Sequence, residues 1–234
     1  REHMVGVFLN VMEDHLKSSD RLQTTDDIAE AKSFVFSRID NDGYAVFNAD
    51  DPLVVKMLDK LPQKRNVTLL PCGITFSNFD IKNHIQEGGK ALTVRDNRVV
   101  LMHKDGDQPI CDLTAIPWAF EGKYLPSAYN LLHVTGAVLG HYEGHLPKQF
   151  TAVIESTRLD PYSGRLTLLK AANGATILAD YAHEKFSLSQ VGDLARSMVK
   201  DDGRVIGVVR LAYDRTPELV KETGHVIASH YDSF

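Results

Sequence analysis

Residues 42–54, Asp-Gly-Tyr-Ala-Val-Phe-Asn-Ala-Asp-Asp-Pro-Leu-Val, decide the fold class of this chain. Turn residues at 41–43 lead into the apolar run 44–47, which polar residues at 48–51 follow. A short run that is apolar throughout is typical of a strand buried on both faces, as in a parallel sheet. With a helix expected over 53–61, this stretch predicts a strand, a polar loop and a helix.

The same pattern precedes it in the chain. Residues 5–9 are a second apolar run, and polar residues 10–15 follow. Cap residues at 25–27 stand before apolar residues at helical spacing, which predicts a helix over 26–39. The order strand, helix, strand, helix predicts an α/β fold with a mostly parallel sheet, whose strand ends meet at the edge where open sheets bind ligands.

A mostly antiparallel annex is expected next. It is predicted to contain a hairpin around the turn at 95–97 and no helix. The strands are predicted at 66–70, 81–86, 91–94 and 99–102, with an extended stretch at 109–118. A helix over 127–140 and a short helix with a turn over 145–150 complete this part.

A domain boundary is expected where the sequence becomes polar, at 155–163, and Asp160-Pro-Tyr-Ser-Gly164 gives a turn signal. We therefore predict domains at 1–157 and 158–234. The second domain has the order of a small Rossmann-like domain that stops early. Its elements are predicted as strands at 166–170, 175–179 and 205–209 and as helices at 187–199 and 216–229.

Composition excludes several classes of protein. The 234 residues are 43% hydrophobic and 24% charged, close to the average for globular domains. No apolar run approaches the ~18 residues that cross a bilayer, so no membrane partner is expected. A net charge of −5 argues against a nucleic-acid partner. Cys72 and Cys111 are too few for a disulfide framework, and without a secretory segment the cytoplasm is the expected location.

Three groups of polar residues lie at the ends of predicted strands, where side chains converge on one crevice. Carboxylates and imidazoles suit Mg²⁺ or Mn²⁺, and guanidinium groups suit phosphate. For Asp14, His15, Asp50 and Asp51, helix capping is the plainer interpretation. The groups are Glu13, Asp14 and His15 with Lys32; residues 48–51; and Asp180 and His183 with Arg165, Asp214 and Arg215.

Five stretches, in order and spread over nearly the whole chain, resemble the Mur ligase superfamily. They are residues 10–16, 25–32, 42–54, 163–165 and 180–183. His84 with Gly88-Gly89 and the hairpin favours the Mur-like portion of cyanophycin synthetases over the cell-wall ligases. The resemblance implies a Mur ligase central domain followed by a Rossmann-like C-terminal domain, both truncated.

The same resemblance implies an ATP-dependent amide ligase with ATP and Mg²⁺ as cofactors. Such enzymes activate a carboxylate as an acyl phosphate, which an amine then attacks to give a peptide or isopeptide bond. The implied substrates are an Asp polymer and Arg. A non-catalytic, degenerate Mur-like assembly module and a MurE-like or folylpolyglutamate-type ligase are the alternatives. The oligomeric state stays open, a homo-oligomer included.

By resemblance, His15 and Lys32 are the expected catalytic and metal-binding residues. His15 matches a Mg²⁺ ligand, and Lys32 matches a lysine that is carbamylated in many members. The alternative for Lys32 is a solvent-exposed helix lysine.

The expected nucleotide contacts come from both domains, so domain closure would complete the site. Asn130 matches an asparagine near the adenine, with Ser127 in place of a second asparagine. Arg165 matches an arginine that reaches the ATP phosphates. The other expected contacts are those of Asp180 and His183 with the ribose and base and those of Asp214 and Arg215 with the nucleotide.

The sequence also departs from the family pattern. It contains no Gly-rich loop ending Gly-Lys-Thr, and it begins at Arg1 without a methionine. We therefore expect an inactive fragment whose phosphate loop and ATP-grasp region lie upstream in the same polypeptide. Glu184-Lys185 stand where the family has Asn-Pro. Arg210 and Tyr213 stand where the family has glycines, and glycines allow the backbone to approach a ligand closely.

Overall fold

The structure is a computed structural model that describes residues 3–13, 21–63, 65–160, 162–200, 202–211 and 215–234. His15 and Asp214 lie outside the described residues. The strands are β1 Val5–Phe8, β2 Tyr44–Asn48, β3 Thr68–Cys72, β4 Ala91–Arg95, β5 Arg98–Met102, β6 Gln108–Asp112, β7 Thr167–Lys170 and β8 Thr176–Ala179. The helices are α1 Thr25–Lys32, α2 Phe34–Ser37, α3 Pro52–Lys56, α4 Ile81–Gln86, α5 Leu125–His141, α6 Phe150–Ser156, α7 Lys185–Met198 and α8 Pro217–His230.

Strands β1 to β6 form a single sheet in chain order. The first four run parallel, and β4, β5 and β6 pair antiparallel. The register sets Phe8 beside Phe47 and Phe47 beside Pro71, so the carboxyl ends of β1, β2 and β3 lie at one edge. The expected mixed α/β class, with a parallel sheet and an antiparallel annex, is confirmed.

Strand β2 is buried on both faces, as its apolar run predicts. Val46 packs into a cluster with Leu131 and Leu132 of α5. Ala45 and Phe47, on the opposite face, pack into the cluster beneath α1, α2 and α3. Alternate side chains of β2 thus pack into two different cores, which explains why no polar residue interrupts the apolar run at 44–47.

Helix α5 lies close to the sheet because glycines face the strands. A Cβ placed on Gly136 would stand 2.7 Å from Cγ1 of Val46, and one on Gly140 would stand 3.0 Å from Cβ of Tyr44. Val46 is fully buried and branched at Cβ, so it has little room to move. These glycines set the separation between α5 and the sheet.

We expect Gly136→Ala to lower the free energy of unfolding by about 1–3 kcal/mol, because the added methyl overpacks this contact. Gly224→Ala in α8 is the control, since a Cβ there meets no atom within 4 Å. That variant should gain about 0.5–1 kcal/mol from helix propensity. Urea unfolding measures both; a stabilised Gly136→Ala would contradict the close approach.

The annex differs from the sequence expectation at residues 81–86, which form helix α4 and not a strand. The side chain of Asp80 accepts a hydrogen bond from the Asn83 backbone and caps this helix. Gly88, with φ of 89°, ends it, and the N–H of Gly89 donates to the His84 carbonyl. Capping at both ends overrides the strand interpretation.

Other predicted elements differ in place or extent. The short helix expected over 145–150 lies at Phe150–Ser156, and the stretch expected to be extended over 109–118 is a strand only to Asp112, after which 3₁₀ turns follow. The helix expected over 26–39 is divided at Ser33 into α1 and α2. The strand expected over 205–209 has, within the described chain, a single parallel bridge from Ile206 to Ser233. Val208 is fully exposed there, so this run lacks the burial that its composition predicted.

The C-terminal segment, residues 167–234, contains the antiparallel hairpin of β7 and β8 with α7 and α8. It contacts the first part of the chain through a third apolar cluster, in which Tyr124 packs with Val191 and Leu194 of α7. The domain boundary at 157/158 stays a prediction. Among the described residues, no helix has the length and apolar character needed to span a bilayer.

Candidate functional site

Asp50 organises the edge of the sheet where β2 ends. Its half-buried carboxylate accepts hydrogen bonds from the Ile74 backbone at 2.6 Å, the Thr75 hydroxyl at 2.7 Å and the Tyr129 hydroxyl at 2.7 Å. These donors belong to the loop after β3 and to the first turns of α5. One side chain therefore ties together three elements at the edge where open α/β sheets bind ligands.

The same hydrogen bonds fix the charge states of Asp50 and Tyr129. Burial would raise the pKa of Asp50, but hydrogen bonds from Ile74, Thr75 and Tyr129 outweigh it and lower the pKa below its usual value. Burial, followed by the bond to the Asp50 carboxylate, raises the pKa of Tyr129. Asp50 is thus an ionised acceptor and Tyr129 a protonated donor at neutral pH.

Asp50→Asn should therefore lower stability at pH 7 by about 1–3 kcal/mol. Because the pKa of Asp50 is lower in the folded state, its contribution is present above the unfolded pKa of ~3.9 and is lost as pH falls through the folded value. The variant should consequently lose less stability than the native chain as pH falls below about 4. Urea unfolding across this range measures it, with exposed Asp59→Asn as the control. Equal acid slopes for the native chain and Asp50→Asn would contradict the assignment.

Asp51 is a helix cap, as its plainer interpretation predicted. The same interpretation is wrong for Asp50, whose carboxylate accepts from a loop and from Tyr129 instead. The carboxylate of Asp51 accepts from the backbones of Leu53 at 2.9 Å and Val54 at 3.1 Å, at the start of α3. It also accepts from the Val11 backbone at 2.8 Å, which joins the loop after β1 to the loop after β2.

Lys32, the expected carbamylated lysine, is the last residue of α1 and is exposed to solvent. Its expected partner His15 is outside the described residues, so their proximity stays a prediction. Within the described ranges, no three His, Cys, Asp or Glu side chains are grouped to hold a metal ion. At the expected site, the described part of the chain therefore supplies the exposed amine of Lys32.

Asn130, the residue expected near the adenine, and Ser127, which replaces the family's second asparagine, differ in their surroundings. Asn130 is exposed on α5, directly after Tyr129. Ser127 is buried, and its hydroxyl donates to the Trp118 carbonyl at 2.7 Å. Ser127 therefore serves the fold where the family has a second asparagine.

Three residues expected at the nucleotide come together at the end of β8. The carboxylate of Asp180 accepts from the Leu166 backbone at 2.9 Å, next to Arg165. The guanidinium of Arg165 lies 4.5 Å from the ring centroid of Tyr181. His183 follows, with Nδ1 at 2.9 Å from the Tyr181 carbonyl. The sequence did not single out Tyr181, although it stands inside the matching stretch 180–183.

Glu184 and Lys185, the departures from the family pattern, both have structural partners. Glu184 caps α7 by accepting from the Ser187 backbone at 2.6 Å. Lys185 donates to Glu222 of α8 at 2.9 Å and to Glu13, in the loop after β1, at 3.0 Å. Its hydrogen bonds, first to Glu222 and then to Glu13, raise the pKa of Lys185. This lysine links the C-terminal segment to the loop that leads towards His15.

A cleft of about 930 Å³ adjoins these residues in the C-terminal segment. Its walls are β8, α7 and residues 203–211, and Asp180 and His183 line its rim. A volume of this size fits a small-molecule ligand. Arg210, which stands at an expected glycine position, lines the same cleft. Arg215 is half-buried just before the Thr216 cap of α8, and neighbouring Asp214 is outside the described residues.

Comparison with known proteins agrees with this geometry. Residues 2–108 match the Mur ligase middle domain. A cyanophycin synthetase from Synechocystis sp. is 30% identical over 97% of this chain, which covers 25% of that protein. A UDP-N-acetylmuramoyl-L-alanyl-D-glutamate–2,6-diaminopimelate ligase from Parabacteroides distasonis is 28% identical over 87% of the chain and 36% of that protein. The chain thus spans about a quarter of the length of the cyanophycin synthetases it matches.

Solved structures show the same fold. E. coli FolC in complex with DHPP and ADP aligns with a TM-score of 0.60 and 16% identity over 97% of this chain and 45% of that one. MurF from Acinetobacter baumannii aligns with a TM-score of 0.58 and 16% identity over 95% of this chain and 43% of that one. The chain is thus similar in sequence to cyanophycin synthetases and to a cell-wall ligase, and residues 2–108 match the Mur ligase middle domain.

Proposed function

We propose that this chain is part of an ATP-dependent amide ligase of the cyanophycin synthetase type. The observation that carries the proposal is the similarity to a cyanophycin synthetase, at 30% identity, over 97% of the chain. The convergence of Arg165, Asp180 and His183 at the end of β8 supports it, because the family resemblance assigns all three to the nucleotide. The ADP bound in the E. coli FolC structure is consistent with a nucleotide site in this fold.

The proposed reaction has two steps. A substrate carboxylate oxygen attacks the γ-phosphorus of ATP, and ADP leaves. An amine then attacks the acyl carbon, an amide forms, and phosphate leaves with the former carboxylate oxygen. Negative charge is redistributed over phosphoryl oxygens in the first step, so a fixed cation is the most useful group that the chain can offer.

Each residue has a role in this proposal. The guanidinium of Arg165 binds the phosphates, and Asn130 binds near the adenine. Asp180 and His183 bind near the ribose and base, and Asp214 and Arg215 complete the nucleotide contact. Mg²⁺, held by His15 and by a carbamylated Lys32, would neutralise phosphate charge when bound. Because ATP and free amino acids are found in the cytoplasm, we propose the cytoplasm as the location of the reaction. The complete site also needs the phosphate loop that the resemblance implies upstream in the same polypeptide.

We propose Arg and an Asp polymer as the substrates. The test is ATP consumption by the complete natural protein with an Asp polymer and Arg added singly and together, with the product identified by mass spectrometry. Turnover that requires both supports the assignment. Turnover with a muropeptide acceptor and none with the Asp polymer and Arg overturns it in favour of a MurE-like ligase.

The 234-residue chain alone is proposed to be inactive in ligation, because its sequence has no Gly-Lys-Thr loop to hold the β- and γ-phosphates. It should still bind a non-hydrolysable ATP analogue with Mg²⁺. We expect a dissociation constant in roughly the millimolar range, which corresponds to a binding free energy of about −4 kcal/mol. Calorimetry and NMR titration measure this affinity. Nanomolar binding by the isolated chain would contradict the expectation that this chain holds only part of the nucleotide site.

A degenerate, non-catalytic Mur-like module is the second candidate. The observation that favours it is the use of Glu184 and Lys185 in capping and in ion pairs, where the family has Asn-Pro. In that case Lys32→Ala and His15→Ala would leave the activity of the complete protein unchanged.

A further inference from the structure

The turn that carries Arg165 has an unusual backbone. Leu166 has a φ of 48°, a left-handed conformation that is rare for a residue branched like leucine, and Gly164 has a φ of 66°. Strain of this kind persists only where surrounding contacts fix it, and it is concentrated at functional sites. The backbone on both sides of Arg165 is therefore held in a defined shape.

Two contacts fix this turn. The hydroxyl of Ser163 accepts a hydrogen bond from the Arg165 backbone at 3.2 Å. One carboxylate oxygen of Asp180 accepts from the Leu166 backbone at 2.9 Å, and the other accepts from the Ala182 backbone at 2.9 Å. Asp180 thereby joins the turn before β7 to the turn after β8, which brings Arg165 and Tyr181 face to face.

The ring of Tyr181 forms the support for the guanidinium. Arg165 lies 4.5 Å from its centroid, within the range of a cation–π contact. His183 packs edge-on against the same ring, with centroids 5.2 Å apart. Tyr181 is 63% exposed, so the ring contributes little to the apolar core. Its contacts point to a role in holding Arg165.

A held arginine binds anions better than a free one. A long side chain loses rotamer freedom when it binds a ligand, and less is lost if the side chain is already confined. A guanidinium that lies over a ring face makes this contact through its π face, so its N–H donors stay available to phosphate oxygens. The contact with the Tyr181 ring thus prepares Arg165 for a phosphoryl group without using its N–H donors.

We propose that Tyr181 and Asp180 are positioning residues for Arg165, which they hold ready for the phosphate chain of a nucleotide. This inference rests on the proposed function, in which Arg165 is the phosphate contact. Asp180 acts through the backbone of Leu166 and Ala182, and Tyr181 acts through its ring face.

The test compares Tyr181→Leu with Tyr181→Phe in the 234-residue chain. The phenylalanine keeps the ring face, and the leucine removes it. The probes are AMP-PNP with Mg²⁺, tripolyphosphate, and adenosine, which has no phosphate. NMR of the Arg165 side chain gives a readout independent of binding, because ring current from residue 181 shifts its resonances upfield. Tyr162→Leu is the control, since Tyr162 is a 94% exposed tyrosine near the same turn.

We expect Tyr181→Leu to abolish the upfield shift and to weaken AMP-PNP and tripolyphosphate about 2- to 5-fold, the effect of one cation–π contact. Adenosine affinity should not change, and Tyr181→Phe and Tyr162→Leu should match the native chain. Native phosphate affinity in Tyr181→Leu, or an equal loss in Tyr181→Phe, would overturn the inference while leaving the proposed function intact. A native chain that binds neither AMP-PNP nor tripolyphosphate would instead overturn the assignment of Arg165 to phosphate, and this inference with it.

Discussion

Phe47→Ala is expected to lower the free energy of unfolding by about 3–5 kcal/mol, the cost of a large buried aromatic side chain and the cavity it leaves. Phe47 is fully buried in β2. Its ring packs edge-on against Phe36 at 6.5 Å and Phe79 at 5.3 Å between centroids. The substitution would remove one ring contact from each neighbour and leave a cavity in the core beneath α1 and α2.

Urea denaturation measures this loss, and Phe34→Ala is the matched control. Phe34 is 62% exposed on α2, so its removal should change stability by less than about 0.5 kcal/mol. Similar losses in the two variants would contradict the assignment of Phe47 to the core.

Lys32→Ala is expected to reduce amide formation by the complete protein about 100-fold or more, as when one group that stabilises developing charge is removed. The proposed carbamate of Lys32 would supply a ligand to Mg²⁺ that alanine cannot replace. Lys32 is exposed at the end of α1, so the free energy of unfolding should stay unchanged. A large loss of activity without a loss of stability is the expected signature.

Lys60→Ala is the control for this effect. Lys60 is another exposed lysine, and its ammonium lies 2.7 Å from the carboxylate of Glu30 on α1. Loss of a surface ion pair should cost less than about 1 kcal/mol and should not affect catalysis. Unchanged activity in Lys32→Ala would exclude its role as a metal ligand and favour the degenerate module.

The sheet was predictable from the sequence because burial on both faces leaves a direct signal. The runs at 5–9 and 44–47 are apolar without alternation, and the structure places them in neighbouring parallel strands. The hairpin of β4 and β5 was predictable because its turn residues stand between two apolar runs. Local pattern and tertiary environment agree in these elements.

The errors lie where local signals conflict. Residues 81–86 have no strong helical face, and the caps at Asp80 and Gly88 make them helical. Ser33 interrupts a continuous helical pattern because its hydroxyl donates to the Glu30 carbonyl at 2.6 Å. Such a side-chain bond competes with the helix backbone, and a hydrophobic pattern does not reveal it.

The site was predictable in part. Family motifs identified Arg165, Asp180 and His183, which the structure brings together, but they assigned no role to Tyr181. Contacts of this kind depend on the pairing of β7 with β8, which only the structure supplies. Similarly, the bond from Tyr129 to Asp50 joins residues 79 positions apart, and no local pattern indicates it.

Transfer of oxygen from substrate to phosphate is the most direct test of the proposed ligase chemistry. The complete natural protein is given ATP, Arg and an Asp polymer whose carboxylates carry ¹⁸O, and the released phosphate is analysed by mass spectrometry. An acyl phosphate pathway predicts one ¹⁸O atom in each phosphate, with the other ¹⁸O retained in the amide. Phosphate that carries no ¹⁸O while amide bonds form would contradict the proposed mechanism.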